Sequence, residues 1–97
     1  MERLNYLFNV EAEHNDSVLV KIITAIIRRR IPLISFSSQL RQNENLLCIT
    51  FVIEETGENA EKFFRQIDKQ VDIISVTFFE HTMEQCLSNR LPGMIHS

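Results

Sequence analysis

A chain of 97 residues is long enough for one modest hydrophobic core and too short for two. Ten Lys and Arg against 13 Asp and Glu give a net charge of -3, so the chain as a whole repels a phosphate backbone, which argues against a general nucleic-acid binder. Cys48 and Cys86 supply neither a disulfide framework nor the paired spacing of a zinc site. Their sparse use, and an N-terminus without a long apolar run, predict a soluble cytoplasmic protein that makes no membrane contact.

Asn5 to Ala12 alternates, with Tyr6, Phe8, Val10 and Ala12 on one face and Asn9 and Glu11 on the other, which predicts a half-buried strand. "EHNDS" then offers Asn15, Asp16 and Ser17 as acceptors for the free N–H groups that begin a helix. In "SVLVKIITAIIRRR" the β-branched residues favour a strand. Val18, Leu19, Ile22, Ile23, Ile26 and Ile27 nevertheless recur at helical spacing, with Lys21, Thr24 and Arg28 opposite, and the period decides for a helix. Pro32 must stop it near Arg30 or Ile31. Arg28 to Arg30 then complement the helix dipole at its C-terminal end.

From Leu33 to Leu40 alternation returns, with Ile34, Phe36, Ser38 and Leu40 set against Leu33, Ser35, Ser37 and Gln39; this more polar strand belongs at an edge. "RQNEN" marks a turn into "LLCITFVIEE", the run most suited to a central strand. Beyond Thr56 and Gly57 the stripe Ala60, Phe63, Phe64, Ile67 and Val71 predicts a second amphipathic helix with a charged outer face. "VDIISVTFFE" closes the pattern as a last strand. The domain therefore spans 1–80, and 81–97, interrupted by Pro92 and Gly93, is expected to be a mobile polar tail.

This βαββαβ order predicts an α+β, ferredoxin-like domain, a four-stranded antiparallel sheet with two helices on one face. Leu7, Leu46, Cys48, Val52, Ile73 and Phe79 alternate with the inward residues, so the other face is partly apolar as well. Contiguous exposed apolar surface marks an interaction site, and a monomer is not expected.

No catalytic constellation emerges, and the chain reads as non-catalytic with no metal site and no cofactor of its own. A soft-metal carrier needs two thiolates in the loop after the first strand, where this chain has "EHNDS". A phosphatase of this fold needs a glycine-rich anion cradle, and Gly57 and Gly93 lie elsewhere. His14, His81 and His96 have no ligand spacing, and Cys48 reads as a packed strand residue. The third strand lacks the basic and aromatic residues of an RNA reader.

The element order resembles the ACT domain, a small regulatory module that pairs side by side and binds an amino acid at the dimer interface. "RQIDKQVDIISVTFF", with Lys69, Val71, Asp72 and Ile73, resembles more closely the acetolactate synthase small regulatory subunit family in its minimal single-domain form. "VLVKIITAIIRRRIPLIS" fits the same pattern. The resemblance implies an activating subunit for a larger, thiamine-diphosphate-dependent synthase of branched-chain amino-acid biosynthesis. It also implies a homodimer through the first helix and the edge strand, with Ile34, Phe36, Ser38 and Leu40 at the interface. By the same resemblance a degenerate effector site comprises His14, Asn15, Asp16, Ser17, Val18, Pro32 and Leu33. His14, Ser17 and Pro32 stand where valine-regulated members keep an asparagine, a glycine and a second asparagine, and Arg30 replaces a further glycine. Weak or absent valine feedback is the expectation. The alternative is a free-standing ACT sensor that binds another small molecule and regulates a different enzyme or a transcription factor.

Overall fold

The computed structural model describes residues 2–81. Their elements run β1 (Arg3–Glu13), α1 (Asp16–Arg28), β2 (Leu33–Arg41), a short 3-10 turn at Gln42–Glu44, β3 (Leu46–Thr56), α2 (Gly57–Asp68) and β4 (Ile73–Glu80). The strands form one antiparallel sheet in the order β2-β3-β1-β4. As the alternation requires, β1 and β3 are central and β2 is an edge, with β4 at the opposite edge.

Period-2 patterning builds the inner face. Phe8, Val10 and Ala12 of β1 lie beside Phe51, Ile49 and Leu47 of β3, all buried under the helices. Phe8 stacks on Phe51 at 5.0 Å and on Phe78 of β4 at 5.1 Å, while Phe63 of α2 meets Phe8 edge-on at 5.7 Å. Val18, Ile22, Ala25 and Ile26 carry α1 into the same core, and Ala60, Phe63 and Ile67 carry α2. Burial of a large aromatic or branched side chain contributes about 1.5–3 kcal/mol, so this cluster dominates the stability of so small a chain.

Side chains close the start of α2. Thr56 caps the helix, its Oγ1 accepting from Asn59 N–H at 3.2 Å. Glu55, buried at the end of β3, accepts from Thr56 N–H at 2.9 Å, Arg3 Nη1 at 3.3 Å and Asn59 Nδ2 at 3.4 Å. A buried carboxylate is tolerated here because each oxygen-facing donor replaces water. A Cβ at Gly57 would lie 3.0 Å from Tyr6 Oη, so a larger residue at the first position of the helix requires the tyrosine hydroxyl to shift by a few tenths of an ångström.

Three expectations from the pattern are corrected. Val71 does not extend the apolar stripe of α2; the helix ends at Asp68 and Val71 is 94% exposed in the following turn. Ile73 belongs to the inner face, opposite Ala12 and against the core, because a bulge between Glu11 and Ala12 shifts the register of β4 and leaves Ile74 exposed. A second irregularity, between Leu33 and Ser35 of β2, pairs Leu33 with the inner-face Ile53 and leaves Ile34 outside the alternation, 53% exposed. The predicted tail lies outside the described residues apart from His81, whose N–H donates to Asn5 O.

The outer face of the sheet is mixed. Val52, Leu7 and Phe79 form one apolar row across β3, β1 and β4. The neighbouring rows are polar: Thr50 Oγ1 donates to Asn9 Oδ1 at 3.0 Å and Ser75 Oγ to Glu11 Oε1 at 3.2 Å.

Candidate effector site and pairing surface

The residues that the sequence nominates for an effector fall at the two ends of α1. At its start, β1 is pinned as it leaves the sheet: Glu13 N–H donates to Asp72 O and His14 N–H to Asn45 O. Asn15 is the N-cap in extended conformation (φ -156, ψ 117), its Oδ1 accepting from Ser17 N–H at 3.0 Å. Its Nδ2 donates to Asp72 Oδ2 at 3.4 Å, and Lys21 Nζ lies 3.7 Å from the same oxygen. Asp72 thus ties the first turn of α1 to the start of β4. His14, Asn15 and Asp16 are exposed, Ser17 is half-buried and Val18 is buried.

Pro32 and Leu33 lie past the far end. Ile31 N–H donates to Ile26 O and Arg30 N–H to Ile27 O, with Arg30 left-handed at φ 56. These bonds make a Schellman cap, with Ile26 and Ile31 both buried. Glycine is the usual residue there, and an arginine with φ > 0 holds a conformation that costs about 1 kcal/mol relative to glycine. Pro32 follows with its carbonyl accepting from Glu54 N–H at 3.0 Å. Thirteen helical residues at about 1.5 Å each put roughly 20 Å between the loop His14–Ser17 and Pro32, so one protomer does not bring the candidate site together.

The predicted interface residues divide similarly. Ile34 is exposed on the unpaired edge, whereas Phe36 packs inward and stacks on Phe51 at 6.0 Å. Ser38 is exposed and Leu40 half-buried, opposite Ile49 and Leu47. The sequence reading placed Ile23 and Ile27 on the buried face of α1, and the structure turns both to solvent beside Val20, which borders the groove shared with Gln66 and Gln70. Val20 (64% exposed) and Ile27 (67% exposed) flank Ile23, all on the solvent side of a helix that already buries a full apolar face. The signal was present as an excess of apolar residues over what one face can bury. Asp72 was legible only as part of a motif; its position beneath the β1–α1 corner was not.

No group of three or more His, Cys, Asp or Glu residues able to hold a metal exists among the described residues. No described helix is long and apolar enough to cross a membrane.

The helices-over-sheet arrangement is that of the ferredoxin-like class. No family model and no curated protein matches the sequence. Solved structures do match the fold. An uncharacterized protein from Thermotoga maritima superposes with a TM-score of 0.71 at 10% identity, covering 84% of this chain and all of the other. The ACT domain from GTP pyrophosphokinase of Chlorobium tepidum gives 0.69 at 8% identity over 80% of this chain and all of that domain. The C-terminal domain of the MgtC protein from Mycobacterium tuberculosis gives 0.67 at 13% identity, covering 80% and 87%. The chain has the ACT fold.

Proposed function

We propose that this chain is a non-catalytic regulatory module that senses a small molecule as a side-by-side homodimer. One observation carries the reading: β2 is an unpaired edge of the described sheet and α1 keeps Val20, Ile23 and Ile27 exposed beyond its core face, so the protomer offers both backbone pairing and apolar burial. Antiparallel pairing of two β2 strands extends the sheet and sets the start of one β2 beside the end of the other. That brings Pro32 and Leu33 of one copy to the sheet end where His14 to Val18 of its partner lie. The dimer thereby assembles the effector site that one protomer splits. The likeness to an ACT domain that is part of a GTP pyrophosphokinase supports the regulatory reading through the fold alone.

Within that class, the Lys69, Val71, Asp72, Ile73 pattern selects the activating small subunit of acetolactate synthase, with the thiamine-diphosphate enzyme of branched-chain amino-acid biosynthesis as catalytic partner. Asp72 supports it by fastening the effector corner. Valine feedback is weak or absent in this reading, since Pro32 supplies no N–H and Asn15 spends its side chain on the helix cap and Asp72.

The test is co-purification with this chain from its native source, followed by assay of acetolactate formation with and without added chain. A synthase whose rate rises supports the finer reading. Its absence, with a dimer still formed in sedimentation, leaves the free-standing sensor.

A further inference from the structure

Arg28 and Arg29 have a second use that neither the core nor the pairing flank absorbs. A groove of about 580 Å³ runs between α1 and the end of α2 and is lined by Val20, Lys21, Thr24, Arg28 and Arg29 from α1, by Gln66 from α2 and by Gln70 in the turn just beyond it. Volumes of this order hold metabolite-sized ligands. Three cations line a single groove in a chain of net charge -3, and no carboxylate lines it. The acid nearest in chemistry, Asp72, sits on Lys21 at the end of the groove towards the start of α1.

Arg28 has no ion pair among the described residues. Arg29 is held in place rather than neutralised: its Nε donates to Gln66 Oε1 at 2.8 Å and its guanidinium lies 5.9 Å from the centre of the Phe63 ring. A fixed, uncompensated guanidinium next to a free one suits a phosphate or carboxylate head group. At the other end Gln70 Oε1 is buried and accepts no hydrogen bond among the described residues. Such an acceptor is destabilising unless a donor reaches it. Lys21 and Arg28 are two turns apart, about 10 Å along the helix.

The geometry points to this groove as a second ligand site, joined to the effector corner through the Lys21–Asp72 ion pair, for an elongated organic anion. Its phosphate or carboxylate head lies against Arg28 and Arg29, and a hydroxyl, amide or amino group donates to Gln70 near Lys21. The site is complete within one protomer, so it does not depend on the dimer.

Inorganic pyrophosphate and citrate serve as probes of the head-group end, titrated by calorimetry and by amide chemical-shift mapping of the full chain. The expected result is saturable binding, with shifts centred on residues 20–30 and 66–70. Affinity should fall about five- to tenfold in Arg28→Gln and again as salt rises from low to roughly physiological strength. Preference for pyrophosphate identifies a phosphorylated ligand and preference for citrate a carboxylate one. Ile34→Asp, which attacks the pairing flank, should leave pyrophosphate affinity within twofold, separating failure of this site from failure of the dimer. Absence of saturable binding by either probe, or shifts that lie elsewhere and ignore Arg28→Gln, overturns the proposal.

Discussion

The two helices lie on the same face of one sheet and are finished differently towards solvent. α2 buries Ala60, Phe63 and Ile67 and covers its outer side with Glu58, Glu61, Lys62 and Arg65, paired four residues apart as Glu58 with Lys62 and Glu61 with Arg65. α1 buries Val18, Ile22, Ala25 and Ile26, turns Lys21, Thr24 and Arg28 to the groove, and still leaves Val20, Ile23 and Ile27 in water. A helix with apolar residues beyond its core face is dressed for a second contact. The contrast is the one that the proposed pairing through α1 and β2 requires, since no large apolar side chain of α2 is exposed.

The largest effect should come from the shared core, which both helices need. Phe63→Ala removes a ring that meets both Phe8 and Phe51 edge-on and should cost about 3–5 kcal/mol in denaturant unfolding. Smaller but more telling is the flank itself. The double change Ile27→Asp with Ile34→Asp should shift sedimentation from dimer to monomer, weakening association by about 100-fold while the monomer keeps its fold. The equivalent insult on α2, Glu61→Ala, should leave association unchanged and cost only about 0.3–0.5 kcal/mol of stability. A monomer before mutation, or dissociation caused by the α2 change, would break the comparison.

The ends of α1 extend the series. Asn15→Ala removes the cap and the bond to Asp72 and should destabilise by about 1 kcal/mol in thermal melts. Arg30→Gly should do the reverse, stabilising by up to about 1 kcal/mol, because glycine accepts φ 56 without strain. No gain there would mean that the arginine side chain returns in packing what its backbone loses.

Strict alternation made Phe8, Val10 and Ala12 legible as one face, and helical spacing overrode the β-branched composition of α1 correctly. Where the reading failed, the period had been interrupted. Ile73 and Ile34 each adjoin a register irregularity, and a bulge has no residue signature of its own when no glycine marks it. Val71 was assigned to α2 by spacing alone, although nothing local compelled the helix to continue past Asp68. The cap at Arg30 was hidden for the same reason, an αL position without a glycine. The separation of the candidate effector residues was implicit in the sequence, since "EHNDS" starts the helix that Pro32 ends; the tie from Asn15 and Lys21 to Asp72 was not. Of the groove cations, Arg28 and Arg29 stood out in sequence within "RRR" and Lys21 did not. Their convergence with Gln66 and Gln70 is a product of how α1 and α2 cross.

The strand order has a consequence for how the chain is made. β1 emerges first but takes its place between β3 and β4, and β3 stands between β1 and β2. A nascent chain that has produced only β1, α1 and β2 therefore has no two strands that can pair with each other as they will in the finished sheet. Tyr6 must wait for Ile53 and then for Glu80. Such distant pairings slow folding and lengthen the time that apolar edges stand open. The apolar flank of α1 is exposed throughout that interval, so a second chain synthesised nearby meets it before the sheet is closed.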